Sequence, residues 1–146
     1  MDYLEAAVDK FVFRVARDRR YSDADVWAKR EGDRIRIGLT DYLQQKSGDV
    51  AFVNLKAVGD ALVADDELAA IETIKVDLVI PVPLAGKVVA VNGALAAHPE
   101  LVNSDPYGAG WLAEIEPSHL TDFDALLGAE AYLPKMQARA ELERQK

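Results

Sequence analysis

The chain has 146 residues, of which 50% are hydrophobic and 29% charged, with a formal net charge of -8 at pH 7. That length and balance predict one soluble globular unit with a core of its own, and the acidic excess argues against a nucleic-acid partner, whose phosphates need a clustered basic face. No apolar run approaches the ~20 residues that span a bilayer, and the charged N-terminus offers no signal-peptide core, so a cytoplasmic protein without a membrane partner is expected.

Residues 1–20 place Leu4, Ala7, Val8, Phe11, Val12 and Val15 at intervals of three and four, which favours one face of an amphipathic helix. The run Phe11-Val12-Phe13-Arg14-Val15 is equally suited to a strand. From Tyr21 the pattern turns to β: two strands flank a turn at Glu31-Gly32-Asp33, with Ile35, Ile37 and Leu39 on one face. Thr40 or Asp41 caps a short helix through Lys46, Gly48-Asp49 punctuates it, and a buried strand is expected over Val50 to Leu55.

Val58-Gly59-Asp60 marks a further turn. The carboxylates Asp65, Asp66 and Glu67 are adjacent in sequence and do not converge without help, so they are read as a solvated turn rather than a metal or acid/base site. Two arms follow, Leu68 to Glu72 and Val76 to Ile80, rich in β-branched residues with near-alternating polarity, and Lys75 sits at the tip between them. Taken alone, such a lysine is most simply a solvating charge.

Pro81 and Pro83 send the chain to an edge or a turn. Gly86 reopens a strand through Val91, and Asn92-Gly93 carries a hairpin signal. His98 and His119 lie in unrelated contexts without ligand spacing, and no metal site is expected. A closing strand over Trp111 to Glu116 ends at Pro117, Ser118 or Thr121 caps a helical C-terminal region, and Pro134 should kink or restart it. Lys135, Arg139, Glu141, Glu143 and Arg144 fall at helical spacing as a solvated face.

Several of these segments, in order, resemble the H protein family of the glycine cleavage system. Around the lysine, Glu72 and the stretch from Pro81 to Val88 are similar to the lysine-bearing hairpin of lipoyl and biotinyl carriers. Upstream lie Gly38-Leu39-Thr40-Asp41-Tyr42-Leu43-Gln44 and Gly48-Asp49-Val50-Ala51-Phe52-Val53-Asn54-Leu55. Downstream come Val91-Asn92-Gly93-Ala94-Leu95, Pro99 to Asn103, Asp105-Pro106-Tyr107, Gly110-Trp111-Leu112 and Leu126-Leu127-Gly128-Ala129 with Tyr132. The likeness runs from about Tyr21 to Tyr132, and several motifs in register are far more specific than one.

The resemblance implies a mainly β fold, a lipoyl-carrier barrel-sandwich hybrid of two small antiparallel sheets with short helices and a C-terminal helix. It also places a short helix near Ala94 to Ala97. Residues 1–20 would be an extension that packs on the domain or docks a partner, 21–117 the carrier sandwich and 118–146 a helical segment. Lys75 matches the position that carries lipoate in amide linkage, and Glu72 and Asp77 would mark the hairpin for a lipoate-attaching enzyme or partner enzymes.

In that family the protein is a carrier, not an enzyme. Its arm takes an aminomethyl group from glycine decarboxylase, presents it to an aminomethyltransferase and is reoxidised by dihydrolipoyl dehydrogenase. The chain has no cysteine, so any dithiol chemistry must come from an attached group such as lipoate. Two positions depart from the family: Asp25-Val26 stand where a histidine and glutamate usually precede the tryptophan, and Val76 where a small residue follows the lysine. Related lipoate-binding proteins of sulfur oxidation serve a heterodisulfide-reductase-like complex, which makes that route the alternative. A non-lipoylated binding module is a third.

Overall fold

The computed structural model describes residues 2–145. A hairpin opens the chain, β1 (Tyr3–Val8) and β2 (Phe11–Ala16), followed by β3 (Arg20–Tyr21), β4 (Val26–Glu31) and β5 (Arg34–Leu39). Helix α1 (Asp41–Ser47) leads to β6 (Val50–Leu55), β7 (Ala61–Leu62), β8 (Glu67–Thr73), β9 (Asp77–Pro81) and β10 (Gly86–Val91). A 3₁₀ turn (Gly93–Ala96), α2 (Leu101–Ser104), β11 (Ala113–Pro117), α3 (Thr121–Asp124) and α4 (Ala129–Arg144) complete it. The strands form a six-stranded sheet in the order β3-β4-β5-β11-β10-β7, a three-stranded sheet β6-β8-β9 and the separate β1-β2 hairpin, all with antiparallel pairing.

The mainly β sandwich with short helices and a C-terminal helix is as expected; the helix favoured for residues 1–20 is not. The register Val8↔Phe11 closes a two-residue loop, Asp9-Lys10, and Asp9 takes the left-handed φ of 55° that such a loop demands. Ala6, Val8, Phe13 and Val15 are buried while Ala7, Val12 and Arg14 are exposed, so the period that governs the segment is two. Aspartate tolerates the left-handed region better than most residues, and the strand formers Val8, Phe11, Val12, Phe13 and Val15 flank it.

Other expectations resolve in detail. Gly32, with φ 65°, begins the two-residue β4-β5 loop, and Ile35, Ile37 and Leu39 are buried together. Thr40 caps α1, its hydroxyl accepting from the Leu43 amide at 3.2 Å. Only Val50 of β6 is buried, because β6 is an edge strand of the small sheet and Phe52 stays 63% exposed. The Asn92-Gly93 signal gives a 3₁₀ turn capped by the Asn92 side chain rather than a hairpin. Helix α4 runs through Pro134 without restarting; Tyr132, Met136 and Ala140 are buried along its face, and that tertiary burial outweighs the lost hydrogen bond.

Two cores result. One fills the space between the six- and three-stranded sheets, with Val26, Ile35, Ile37, Leu68, Ile71, Ile80, Val88 and Ile115. The other is aromatic and joins the N-terminal hairpin to α4 around Tyr21, Trp27, Tyr42, Tyr107 and Tyr132. Trp27 lies flat over Gly38, leaving no room for a Cβ there, and its indole donates to the Pro106 carbonyl at 3.0 Å.

Arg139 overturns the solvated-face reading of the C-terminal helix. It makes two 2.7 Å hydrogen bonds to Asp25, whose side chain is 4% exposed, and the Tyr132 hydroxyl donates to the same carboxylate at 2.6 Å. Burial pulls the Arg139 pKa downward, but the hydrogen bonds and charge of Asp25 outweigh it and hold the guanidinium above its ordinary value. Thus α4 is fastened to the loop before β4 by a charge pair.

The tyrosines make alkaline stability a test of the aromatic core. Burial, the largest cause in each, pushes the pKa of Tyr21, Tyr42, Tyr107 and Tyr132 upward. Their hydroxyls donate to Ala16 O, Glu143 Oε2, Arg14 O and Asp25 Oδ1 respectively. An unfolded tyrosine ionises near pH ~10 while the folded ones stay neutral, so stability is intact below that pH and falls as pH rises above it. Followed together in a Tyr3→Phe background, which leaves these four tyrosines of the five, circular dichroism and tyrosinate absorbance should change in one cooperative step; ionisation of the four while the dichroism persists would contradict this packing.

Candidate cofactor-attachment site

Strands β8 and β9 pair as Glu72↔Asp77, Ile71↔Leu78 and Ala70↔Val79, and Ile74, Lys75 and Val76 form the exposed tip beyond them. Local chemistry fixes that tip. The Thr73 amide donates to the Val76 carbonyl at 2.9 Å, and the Thr73 hydroxyl accepts from the amides of Val76 and Lys75 at 2.9 and 3.2 Å. A threonine hydroxyl satisfying amides of the residues just ahead holds such a turn without a regular ladder.

The tip is also tied to the end of α1. The Ile74 amide donates to the Asp49 carbonyl at 3.0 Å, and the Ser47 and Val76 carbonyls both lie 2.8 Å from the Thr73 hydroxyl, which has one proton to give. Gly48, at φ 89°, ends α1 in a conformation L-residues rarely adopt, with the Lys75 Cβ 3.6 Å from where its own Cβ would stand. Asn103 braces the same corner, donating to the Gly48 carbonyl at 3.0 Å and accepting from the Val50 amide at 2.8 Å. The lysine therefore projects from a backbone held from both sides.

Lys75 is exposed, and its Nζ donates to the Lys46 carbonyl at 3.0 Å. Glu72 and Asp77, directly opposite in register, share the outer face of the small sheet immediately below the tip, and both are exposed. Phe52 pairs with Glu72 from the other side, so an exposed ring and two carboxylates form one row. Like charges placed opposite each other on a sheet cost stability, which sets this pair apart from charges scattered for solubility.

A groove of about 680 Å³ opens beside Lys75 between the β1-β2 hairpin, α1, β9 and the end of α4. Among the described residues no group of three or more His, Asp or Glu could hold a metal ion; Asp65 and Asp66 lie in a turn, where the Asp66 carboxylate accepts from the Val63 amide at 2.9 Å, while Glu67 opens β8. No helix of the described residues is long and apolar enough to cross a membrane. The partners that sequence reasoning missed are Ser47, Lys46 and Asn103. Thr73, two residues before the lysine, carried a readable turn signal; Asn103 is separated from the tip by two strands and carried none.

A family model described as glycine cleavage H-protein matches residues 19–139, which include the whole lysine hairpin but not β1-β2. A glycine cleavage system H protein of Thermus thermophilus is 41% identical over 126 residues, 86% of this chain and 98% of the relative. A probable glycine cleavage system H protein of Natronomonas pharaonis is 44% identical over 120 residues, 82% of this chain and 94% of the relative. The crystal structure of a glycine cleavage system H protein from Mycobacterium marinum superposes with a TM-score of 0.76 at 30% identity, covering 83% of this chain and 98% of that one. The chain belongs to the glycine cleavage H-protein family, a carrier component rather than a catalyst.

Proposed function

We propose that this chain is a lipoate carrier, with lipoate in amide linkage to Lys75, which passes an intermediate between partner enzymes in the cytoplasm. The observation that carries the reading is the exposed Lys75 amine on a turn fixed by Thr73 and Asp49, in a chain of this family. The residues present fit the group. The amine is accessible for acylation, and the Lys46 carbonyl accepts an N–H that an amide still has. When bound, lipoate supplies a disulfide ring that opens to two thiols, chemistry absent from a chain without cysteine.

A free lysine, with an ordinary pKa of about 10.4, is protonated at neutral pH and a poor nucleophile. Attachment therefore needs an enzyme, and the Glu72-Asp77 row supports a role in recognition by it. The expected partners are a lipoate-attaching enzyme, glycine decarboxylase, an aminomethyltransferase and dihydrolipoyl dehydrogenase. A second reading, service to a heterodisulfide-reductase-like complex in sulfur oxidation, has one observation in its favour. Where the family usually has histidine and glutamate, Asp25 is committed to Arg139 and Val26 lies in the core, so neither can meet a partner.

The discriminating experiment adds the lipoylated chain to glycine decarboxylase and follows exchange of labelled bicarbonate into glycine. Exchange that rises with carrier concentration is expected. A fully lipoylated chain that supports no exchange would overturn the glycine reading in favour of the sulfur one.

A further inference from the structure

Helix α1 has 7 residues, Asp41–Ser47, and its last turn meets the attachment hairpin directly. The Lys46 carbonyl accepts from the Lys75 Nζ at 3.0 Å, and the Ser47 carbonyl lies 2.8 Å from the Thr73 hydroxyl. Helices shorter than ~12–15 residues are marginal on their own, so where those carbonyls stand depends on what holds α1. We infer that the two ends of the chain form a clamp on α1, with Gln45 and Glu143 as positioning residues that set how Lys75 is presented to the attaching enzyme; this rests on the lipoate reading above.

One arm of the clamp is the β1-β2 hairpin. The Asp41 carboxylate accepts from the Arg14 amide at 2.9 Å, and the Gln45 side chain donates to the Val12 carbonyl and to Asp41, each at 3.0 Å. Among the described residues β2 pairs with no strand but β1. Side chains of α1 therefore occupy main-chain groups along its other edge.

The second arm is the end of α4. Glu143 Oε2 accepts from the Tyr42 hydroxyl at 2.8 Å and its Oε1 from the Lys46 Nζ at 3.0 Å. Lys46 thus gives its ammonium to α4 and its carbonyl to Lys75. Tyr42 is buried, and Phe13 of the hairpin meets its ring edge-on with centroids 5.1 Å apart, so both arms converge on one side chain of α1. A Lys46-Glu143 pair alone would be an ordinary surface ion pair of little consequence. A carboxylate that also takes the proton of a buried tyrosine is a fixed latch. Both arms come from outside residues 19–139, the span matched by the family model: the hairpin precedes it and Glu143 follows it.

The test compares the full unmodified chain with Glu143→Ala, Gln45→Ala and, as control, Glu141→Ala at an exposed position of α4. Amide exchange is read at Gly48, whose N–H donates to the Gln44 carbonyl, and at Ile74, whose N–H donates to the Asp49 carbonyl. Both clamp variants should raise exchange at these amides about fivefold or more through local opening. Their melting temperatures should stay within about 3 °C of wild type, since neither side chain is fully buried and water replaces the lost partners. With lipoate and an attaching enzyme, each should show a KM for the carrier raised about threefold at unchanged kcat, because a smaller fraction of molecules presents the lysine correctly. That split is a readout that a purely structural role does not move. Glu141→Ala should match wild type throughout. Unchanged exchange, or faster exchange at wild-type KM, overturns the clamp and leaves Lys75 as the attachment point. A wild-type chain that acquires no lipoyl group under competent conditions overturns the lipoate reading and the clamp's role in attachment with it.

Discussion

Lys75→Arg folds with wild-type stability, within about 0.5 kcal/mol as befits an exposed position, and acquires no lipoyl group. Its carrier activity falls to background. Arginine keeps the positive charge and the reach to the Lys46 carbonyl, but its delocalised guanidinium does not form the amide. The turn survives because its hydrogen bonds come from Thr73, Asp49 and main-chain groups, none of which the substitution removes. Intact mass after incubation with lipoate and an attaching enzyme, together with a melting curve, gives both readouts. Glu72→Lys combined with Asp77→Lys should slow attachment about tenfold, the effect of ~1.4 kcal/mol lost from recognition. An unchanged rate would return those carboxylates to simple solvation.

Arg139→Ala carries the largest cost to stability, about 3 kcal/mol. Breaking a buried ion pair strands the remaining charge, typically at 3–5 kcal/mol, and Asp25 would keep only the Tyr132 hydroxyl. The low end applies because the Arg139 side chain is 35% exposed, so water reaches the vacated place. Urea unfolding measures it, with Glu141→Ala on the exposed side of α4 as the control expected within about 0.5 kcal/mol. Adding Asp25→Asn to Arg139→Ala should recover part of the loss, since the stranded charge is then gone. A loss under 1 kcal/mol for Arg139→Ala alone would mean that the pair does not fasten the helix.

How far the sequence was legible follows the range of the forces. The β4-β5 loop, the Thr40 cap and the Lys75 tip are local, and Gly32, Thr40 and Thr73 announce them through turn and capping chemistry. The N-terminal hairpin is ambiguous in sequence because Leu4, Ala7, Val8 and Phe11 satisfy a helical period as well as an alternating one; packing against α4 and Tyr42 decides between them. Arg139 is illegible in sequence for the opposite reason. Helical spacing with acidic neighbours is the mark of a solvated face, and nothing near it in sequence points to Asp25, 114 residues away.

The site divides in the same way. Lys75 and its flanking carboxylates could be picked out by pattern and resemblance, because they lie in one short hairpin. Ser47, Lys46 and Asn103 enter through tertiary contacts between residues 26, 29 and 55 positions apart in sequence, and no periodicity encodes them. Asp25-Val26, which differ from the usual family residues, show why a motif position needs its surroundings: one is spent on an internal ion pair and the other on the core.

Peptide mass spectrometry of the protein isolated from its own source, or produced with lipoate and an attaching enzyme present, tests the central claim most directly. One lipoyl group localised to Lys75 is the predicted result. A chain that remains unmodified at Lys75 under conditions that lipoylate another H protein in the same tube would contradict it, and would leave the hairpin as part of a binding module.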